Sequence, residues 1–580
     1  MLFEVKGKDF YKDGKPIRII SGAVHYFRNM PDTWDDIFLK MKACGCNCVE
    51  TYCPWNQHEK VKGIFDFNGI LDIVSFIEKA GEYGLMAIVR PGPYICAEFD
   101  FGGLPWWLHN EPNMDIRCSN ENFMKCFDAY LDELLSRLKP LLCTNGGNII
   151  MLQVENEYGY YGDDKAYLRH IRDGYIARGI DVPLFTSDGH LKGNLQDGTI
   201  EDCLSTLNFG SDVEERFAVH DELFPNSPKM CMEMWNGWFD AWGDVKHHTQ
   251  DAMAYANTLD DMLKRGSVNM YMFIGGTNFG FTAGANHSHI FKPDVTSYDY
   301  DALLTEWGDT TEKYFAVREV IKKHIGEDLP NVPQNRLKKG YGKVWANKSA
   351  SLFENLKNIS SPKFTHLPQP MESYGIGNGY IVYITKVERD YYNEEISFER
   401  IGDRALLYVN DVYIGTVYVN DDSYRVRFSA KLGDTIVIVC ENLARTNYGE
   451  KMMYKKGIVG YVAANGKQHF GWVGYPLPMD NLDKLEWKEE IQEGTQMFYS
   501  FNLEIEGEPV DTFLRTDNFS KGFVVVNGFN IGRYWEIGPQ KTLYVPKSLL
   551  KEGKNEIILF DGDGVKGEPI IEFVDKPDLG

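Results

Sequence analysis

The chain has 580 residues, of which 43% are hydrophobic and 25% are charged, and its formal net charge is −23. A chain of this length exceeds a single hydrophobic core, so we expect roughly three to four domains, or fewer if one is a large barrel. The negative charge disfavours nucleic acid and anionic membranes as partners and suits a neutral substrate, although acidity that only maintains solubility explains it equally well.

Eight short apolar runs in the first half of the chain predict β-strands. They lie at residues 17–25, 46–54, 84–92, 148–156, 183–189, 204–210, 229–235 and 267–275. Continuous apolar runs are typical of strands that are buried on both faces, as in parallel sheets. Amphipathic stretches between them predict helices at 33–45, 69–84, 121–142, 166–179 and 251–266.

This alternation predicts a (β/α)8 TIM barrel over residues 1–327. An open, doubly wound α/β sheet is the alternative fold. Neither a G-x-G-x-x-G motif after the first strand nor a P-loop motif is present, so nucleotide binding is not expected.

Four of the eleven cysteines are clustered near the second strand: Cys44, Cys46, Cys48 and Cys53. A zinc site would need paired C-x-x-C spacing or nearby histidines, and neither pattern is clear. We therefore expect buried, reduced thiols and no metal site.

The pattern changes in the second half of the chain. Residues 328–365 are polar and proline-containing at their start, which predicts a linker. Short alternating strands separated by turn residues then predict two all-β sandwiches, at 366–485 and 486–580. The segments VNDVYIG and VNGFNIG indicate that one type of hairpin occurs in both sandwiches.

Polar residues at the ends of the barrel strands are the candidate catalytic groups, because active sites of (β/α)8 barrels lie at the C-terminal ends of the strands. Strand four ends in Glu155, Asn156 and Glu157, and strand seven carries Glu233. Glu98 follows strand three. Two carboxylates among aromatic residues suit glycoside hydrolysis, in which one carboxyl group protonates the leaving oxygen and the other stabilises or captures the cationic sugar.

Structural roles for the same residues remain open on spacing alone. Glu155 fits an orienting role better than a catalytic one, and Glu50 could bind the barrel backbone, Arg18 or Arg90. The tryptophans Trp106 and Trp107 could be hydrophobic packing. No single glutamate is identified as catalytic by spacing.

Longer motifs resemble the β-galactosidases of glycoside hydrolase family 35. They cover most of the chain: SGAVHYFR (21–28), VETYCPWNQHE (49–59), RPGPYICAEFDFGGLPWWL (90–108), NGGNIIMLQVENEYGYYG (145–162), MEMWNGWFDAWG (232–243), YMFIGGTNFGF (271–281), TSYDYDALLTEWGD (296–309) and VNGFNIGRYWEIGPQKTLYVP (526–546). The LQVENEYG segment is highly specific.

The resemblance implies roles for particular residues. Glu157 corresponds to the general acid/base and Glu233 to the nucleophile. Residues expected to hold galactose are Tyr52, Glu98, Asn156 and Tyr300. The second sandwich is expected to be a galactose-binding-like jelly roll. From their position after the nucleophile, we further hypothesise that Trp238 and Trp242 form a platform for the leaving sugar.

The expected function is that of a retaining, exo-acting β-galactosidase that releases terminal β-D-galactose by double displacement. Some similar enzymes prefer β-1,3-linked galactose. An exo-β-glucosaminidase of the same family and a non-catalytic carbohydrate-binding protein are the alternatives. Carboxylates suffice for this chemistry, so no cofactor is expected.

The cellular context follows from smaller signals. Animal lysosomal relatives have AEW where this chain has Ala97, Glu98 and Phe99. The N-terminus lacks a signal-peptide pattern and no apolar run approaches the roughly 20 residues that cross a bilayer. We therefore expect a cytoplasmic protein of the bacterial branch. The number of subunits is not determined, and a dimer is one option.

Overall fold

A small antiparallel sheet opens the chain in the computed structural model, which describes residues 1–580. Its three strands precede the barrel and were not predicted: β1 Phe3–Lys6, β2 Asp9–Lys12 and β3 Lys15–Ile17.

A closed barrel of eight parallel strands follows. Its strands are β4 Ile20–Val24, β5 Cys48–Tyr52, β6 Met86–Arg90, β7 Ile149–Gln153, β8 Leu184–Gly189, β9 Leu204–Asn208, β10 Met230–Trp235 and β11 Ser267–Ile274. Every one lies inside one of the eight apolar runs, and β11 pairs with β4 to close the barrel. The predicted TIM barrel is therefore confirmed, and the open sheet is excluded.

Helices surround the barrel. They are α1 Trp34–Cys44, α2 Trp55–His58, α3 Ile73–Glu82, α4 Glu121–Leu138, α5 Lys165–Ala177, α6 Lys192–Gly198, α7 Val213–Leu223, α8 Ala252–Arg265 and α9 Glu312–Ile325. The predicted helices correspond to α1, α3, α4, α5 and α8. Side chains such as Asp72 and Asn120 cap helix starts by accepting hydrogen bonds from backbone N–H groups of the first turn.

Two short strands lie between β11 and α9: β12 Ala285–His287 and β13 Phe291–Pro293. The segment between the barrel and the first sandwich contains β14 Gly342–Ser351, α10 Leu352–Ile359 and β15 Lys363–Thr365.

The first sandwich contains β16 Tyr380–Lys386, β17 Tyr391–Gly402, β18 Arg404–Val409, β19 Val412–Tyr418, β20 Arg425–Ala430, β21 Thr435–Glu441, β22 Thr446–Tyr448, β23 Gly457–Ala464, β24 Lys467–Gln468 and β25 Trp472–Leu477. A six-stranded sheet has the order β15-β25-β16-β21-β18-β19, and a four-stranded sheet has the order β20-β17-β23-β24. Strand β22 belongs to neither sheet and pairs instead with β12 beside the barrel.

The second all-β unit contains β26 Met497–Ile505, β27 Thr512–Arg515, β28 Lys521–Val526, β29 Phe529–Trp535, β30 Thr542–Val545, β31 Gly553–Asp561 and β32 Ile570–Val574. These strands and β14 form one sheet with the order β29-β28-β31-β26-β14-β32-β27-β30. Its two halves enclose a common hydrophobic core.

The predicted linker, residues 328–365, is only partly irregular. Strand β14 lies within it and pairs with β26 along one part and with β32 along another. Its side chains are mostly half-buried, so the segment has no apolar run. Backbone pairing on both edges, rather than side-chain pattern, makes it a strand.

The repeated hairpin is confirmed. The β18–β19 turn has Asn410 and Asp411 at positive φ, and the β28–β29 turn has Asn527 and Gly528 at positive φ. Two consecutive residues of this conformation form the tight turn that matches the twist of antiparallel strands.

The predicted thiols are also confirmed, because Cys44, Cys46, Cys48 and Cys53 are all buried and free. None of the helices has both the length and the apolar character required for a membrane span.

A buried ionic cluster joins the two sandwiches. Lys521 of the second sandwich donates to Glu441 of the first, and Arg404 contacts both Glu441 and Asp563. Burial lowers the pKa of Lys521 to about 8 despite the neighbouring Glu441 carboxylate. Such clusters are sensitive to the loss of one partner, because the remaining charges stay buried without compensation.

Replacing Glu441 with Gln is therefore expected to lower the free energy of unfolding by about 3 kcal/mol. Urea unfolding followed by tryptophan fluorescence measures this change. The control is Glu508→Gln, at an exposed loop position of the same charge type. Equal unfolding midpoints for the two variants would contradict a structural role for the cluster.

Candidate active site

A cavity of about 270 Å3 opens at the C-terminal ends of the barrel strands. It is lined by Ile95, Cys96, Ala97, Glu98, Asn156, Glu157, Tyr160, Glu233, Trp235, Trp238, Phe239, Tyr271, Asn286, Tyr300 and Tyr448. Both predicted catalytic carboxylates therefore lie at the wall of one cavity. A larger cavity of about 520 Å3 lies between the domains and contains none of the predicted site residues.

Three hydrogen bonds hold the Glu233 carboxylate in place. Its Oε1 accepts from the Tyr52 hydroxyl at 2.7 Å and from Arg90 Nη2 at 2.8 Å. Its Oε2 accepts from Trp235 Nε1 at 3.1 Å. Hydrogen bonds and an opposite charge stabilise a carboxylate, and an ionised carboxylate is what a nucleophile requires.

Glu157 has a different environment. Its Oε1 accepts one hydrogen bond, from Asn208 Nδ2 at 3.0 Å. Burial, reinforced by the negative charge of Glu233, raises the pKa of Glu157 to about 8. A carboxyl group with this pKa is protonated at neutral pH and can act as a general acid.

Glu98, Tyr300 and Trp238 reach the same cavity from other loops. Glu98 Oε2 accepts from the Tyr298 hydroxyl at 2.5 Å, and burial raises the pKa of Glu98 to about 7. Trp238 is 44% exposed and packs edge-on against Trp235, with ring centroids 5.9 Å apart. The structure thus brings together carboxyl, hydroxyl and indole groups that suit a sugar.

Asn156 lines the cavity, whereas Tyr52 lies behind its wall. Tyr52 is not among the lining residues, and its hydroxyl lies 2.9 Å from Asn156 Oδ1 as well as near Glu233. Asn156 Oδ1 also accepts from Arg90 Nη2 at 2.7 Å, which turns the amide nitrogen away from this network. Tyr52, which was predicted to hold galactose, contacts Glu233 and is not part of the cavity wall.

The contacts of Glu155 and Glu50 agree with the structural roles that the sequence left open for them. Glu155 accepts two hydrogen bonds from Arg117, both at 2.9 Å, and one from the Tyr167 hydroxyl. Glu50 lies 3.5 Å from Arg90 beneath the cavity. Neither carboxylate lines the cavity.

Trp242 does not lie at the cavity, contrary to the prediction of a sugar platform. Its indole packs against Trp535 of the second sandwich, with ring centroids 6.4 Å apart. Backbone hydrogen bonds from Trp242 to Pro293 and from Gly243 to Gly538 hold the loop in this position. The contact with a distant domain could not be read from the position of Trp242 after Glu233.

Several residues that line or contact the site were not predicted, and three of them show why. Asn208 ends β9 and binds Glu157, so the rule of examining strand ends would have found it. Asn286 and Tyr448 line the cavity from β12 and β22, which pair with each other. Tyr448 belongs to the first sandwich and has no sequence signal that links it to a barrel mouth.

Backbone conformation is unusual at the same place. Four residues there have positive φ values between 47° and 63°: Glu98, Glu155, Glu157 and Tyr300. This conformation is uncommon for residues other than glycine and concentrates at functional sites.

One group of side chains outside the cavity is close enough to share a cation: Asp240, Asp244 and His248. However, Asp240 is already bound by His248 Nδ1 at 2.7 Å and His247 Nδ1 at 2.6 Å. These contacts account for the arrangement.

Two carboxyl groups, one after the fourth barrel strand (β7) and one on the seventh (β10), meet in one cavity lined by aromatic rings. This arrangement in a (β/α)8 barrel defines the class of glycoside hydrolases. Residues 9–324 match the profile described as Glycosyl hydrolases family 35. Residues 368–478 match "Beta-galactosidase, first all-beta domain", and residues 496–555 match "Beta-galactosidase, galactose-binding domain". The chain belongs to glycoside hydrolase family 35.

Full-length relatives support the same family. Beta-galactosidase-1-like protein 2 of Homo sapiens is 40% identical and aligns over 100% of this chain and 92% of its own length. A beta-galactosidase of Xanthomonas manihotis is 39% identical over 94% of this chain and 92% of its own length. A beta-galactosidase of Mus musculus is 38% identical over 98% of this chain and 93% of its own length.

The Asn208 amide gives a test of the environment of Glu157. Its N–H group stabilises the ionised carboxylate and so lowers the pKa of Glu157. In Asn208→Ala this pKa is expected to rise. Activity that needs protonated Glu157 falls as pH rises through this pKa, so the alkaline limb of the kcat/KM profile should move to higher pH.

The measurement is a pH series with a nitrophenyl β-galactoside. Thr206→Val is the matched control, because Thr206 lies on the same strand and its hydroxyl binds the Thr186 carbonyl instead of Glu157. An alkaline limb that stays in place or moves to lower pH in Asn208→Ala would refute the acid role of Glu157.

Proposed function

We propose that this glycoside hydrolase is a retaining, exo-acting β-galactosidase that releases terminal, non-reducing β-D-galactose. The observation that carries the proposal is that two carboxyl groups in one cavity have different environments. Arg90 and Tyr52 bind Glu233, whereas burial raises the pKa of Glu157. The names of relatives that are 38–40% identical support galactose as the sugar.

In the first step, Glu233 attacks the anomeric carbon and Glu157 gives its proton to the departing oxygen. The glycosidic bond breaks, and a glycosyl–Glu233 ester forms. In the second step, Glu157 takes a proton from water, which attacks the same carbon and releases Glu233 as a carboxylate. Two inversions leave the configuration of the sugar unchanged.

The role of Arg90 follows from its contacts. It holds Glu233 Oε1 at 2.8 Å, and its guanidinium carbon lies 3.9 Å from the centre of the Tyr52 ring. The arginine compensates the buried negative charge before attack. It also fixes the direction of the carboxylate, which raises the fraction of bound substrate in an attack geometry.

The size of the cavity supports exo action. Pockets that enclose drug-sized ligands measure about 300–1,000 Å3, whereas this cavity measures about 270 Å3. It suits one sugar unit, with the leaving group near its exposed rim at Trp238 and Tyr448. We further propose that this rim gives a preference for β-1,3-linked galactose.

The nucleophile is tested by Glu233→Gln. Loss of the nucleophile should lower kcat for a nitrophenyl β-galactoside by about 10^4-fold or more, while the fold is retained. Glu121→Gln, at an exposed position that begins α4, is the control. The anomer first released by the unaltered enzyme, observed by NMR, should be β-galactose. Turnover retained in Glu233→Gln, or α-galactose as the first product, would reject the mechanism.

A parallel assay with nitrophenyl β-glucosaminide and β-N-acetylglucosaminide tests the identity of the sugar. We expect kcat/KM to be highest for the galactoside. Faster hydrolysis of a glucosaminide would replace galactose in the proposal without changing the carboxylate roles.

The rim is tested by Trp238→Ala. If Trp238 supports the leaving sugar, this change should lower kcat/KM for a β-1,3-linked galactosyl disaccharide by about tenfold, with a smaller effect on the β-1,4 isomer. Trp242→Ala is the matched control, because that indole packs on the second sandwich. An unchanged ratio of the two disaccharides in Trp238→Ala would remove Trp238 from the proposal.

A further inference from the structure

A long groove, separate from the catalytic cavity, lies between the barrel and both sandwiches. It consists of two adjoining cavities of about 520 Å3 and 650 Å3. They are continuous because both are lined by Gly280, Phe281, Pro478, Asp480 and Asn530. Each is within the size range of ligand pockets, which often occur between domains.

An aromatic and cationic wall separates the groove from the catalytic cavity. Phe99 lines the groove, and its neighbour Glu98 lines the catalytic cavity. Phe27 packs edge-on against Phe99 with centroids 4.9 Å apart, and Arg28 lies over the rings of Phe99 and Tyr298. The two spaces share no lining residue. A ligand in the groove would therefore occupy a site distinct from the catalytic one.

The groove contains a buried polar atom without a partner. Asn56 is 6% exposed, and its Nδ2 donates to the Asp100 carbonyl at 2.7 Å. Its Oδ1 is buried and accepts no hydrogen bond from the protein. An acceptor that is buried without a partner is unfavourable, and a hydroxyl or N–H donor that reached Asn56 from the groove would satisfy it.

Further polar groups extend along the groove. Asn530 lines both cavities, and its Oδ1 accepts from the Gly532 N–H at 3.0 Å, so its amide nitrogen is not used in that hydrogen bond. Asp480 also lines both cavities, is exposed and offers acceptors. The groove thus has both donor and acceptor groups for a polyhydroxylated chain.

Aromatic side chains provide flat surfaces in both cavities of the groove. Trp106 and Trp487 are half-buried and line the first and second cavity. Trp106 is fixed, because Gly377 lies so close that an added Cβ would meet the ring at 2.3 Å, and its Nε1 donates to the Lys60 carbonyl at 3.1 Å. A fixed ring loses little conformational entropy on contact with the apolar face of a ligand.

The charges argue for a neutral ligand. Lys60 is the cation on the groove wall, where Asp480, Asp483 and Glu556 provide carboxylates, and Asp100 is buried with its Oδ1 bound to the Arg445 N–H. No cluster of cations is present to bind phosphate or sulfate, and the chain as a whole carries −23. The amides disfavour a purely apolar ligand.

We propose that this groove is a second carbohydrate-binding site, which holds a neutral oligosaccharide chain on Trp106 and Trp487 through ring contacts and on Asn56, Asp480 and Asn530 through hydroxyl groups. Binding there is independent of the roles of Glu157 and Glu233. It would keep a polymeric or surface-attached glycan near the enzyme while the catalytic cavity removes terminal sugars.

Native affinity electrophoresis of the full chain in gels that contain β-1,4-galactan, arabinogalactan or xyloglucan tests this site. All samples carry Glu233→Gln so that the polymers stay intact during the run. We expect at least one polymer to retard the protein. Asp480→Ala and Trp487→Ala should each weaken the apparent affinity by about tenfold, whereas Trp238→Ala, at the catalytic cavity, should leave it unchanged.

The groove variants are then assayed without Glu233→Gln. Their kcat/KM for a small nitrophenyl glycoside should equal that of the unaltered enzyme. Asp480 is exposed, so Asp480→Ala tests the groove even if Trp487→Ala impairs folding. The proposal is overturned if none of the three polymers retards the protein. It is also overturned if retardation persists in both groove variants and disappears in Trp238→Ala.

Discussion

The contact between Arg90 and Glu233 is the constraint on which the site depends. Arg90 ends β6, and its guanidinium reaches Glu233 Oε1 at 2.8 Å, with Glu50 3.5 Å away on the other side. A buried carboxylate requires such compensation, because its desolvation in an apolar barrel is costly. Glu157 has an amide donor but no comparable cation, so burial raises its pKa. The Arg90 guanidinium therefore forms a direct hydrogen bond with Glu233, whereas Glu157 is bound by the Asn208 amide.

The first all-β domain is part of the cavity wall, and the second contacts a neighbouring loop of the barrel. Strand β22 of the first sandwich pairs with β12 and places Tyr448 in the catalytic cavity. The Tyr94 hydroxyl donates to the Asn447 carbonyl at 2.7 Å, which joins the barrel to the same strand. On the other side, Trp535 of the second sandwich holds the loop of Trp242. The first sandwich thus contributes to the cavity wall, and the second sandwich positions a loop that follows Glu233.

Much of the barrel could be predicted because each strand is buried on both faces and its apolar run is visible locally. The rule that active sites lie at the C-terminal ends of barrel strands gave Glu155, Asn156, Glu157 and Glu233 as candidates. The failures have a common cause. Strand β14 has mostly half-buried side chains and is defined by pairing with β26 and β32, which are distant in sequence. Trp242 was assigned to the cavity from its position in the chain, although packing on Trp535 determines where it lies.

The sequence by itself determined the barrel, the two all-β domains, the family resemblance and the candidate carboxylates, because these depend on local periodicity and on motifs that the chain contains. Tertiary structure alone decided which groups compensate the charge of Glu233 and why the pKa of Glu157 is raised. It also decided that Tyr448 enters the cavity from another domain. It also decided that Tyr52 stands behind Glu233 and that a groove separates the barrel from the sandwiches. These features depend on burial and distance between residues up to several hundred positions apart, and no local pattern encodes them.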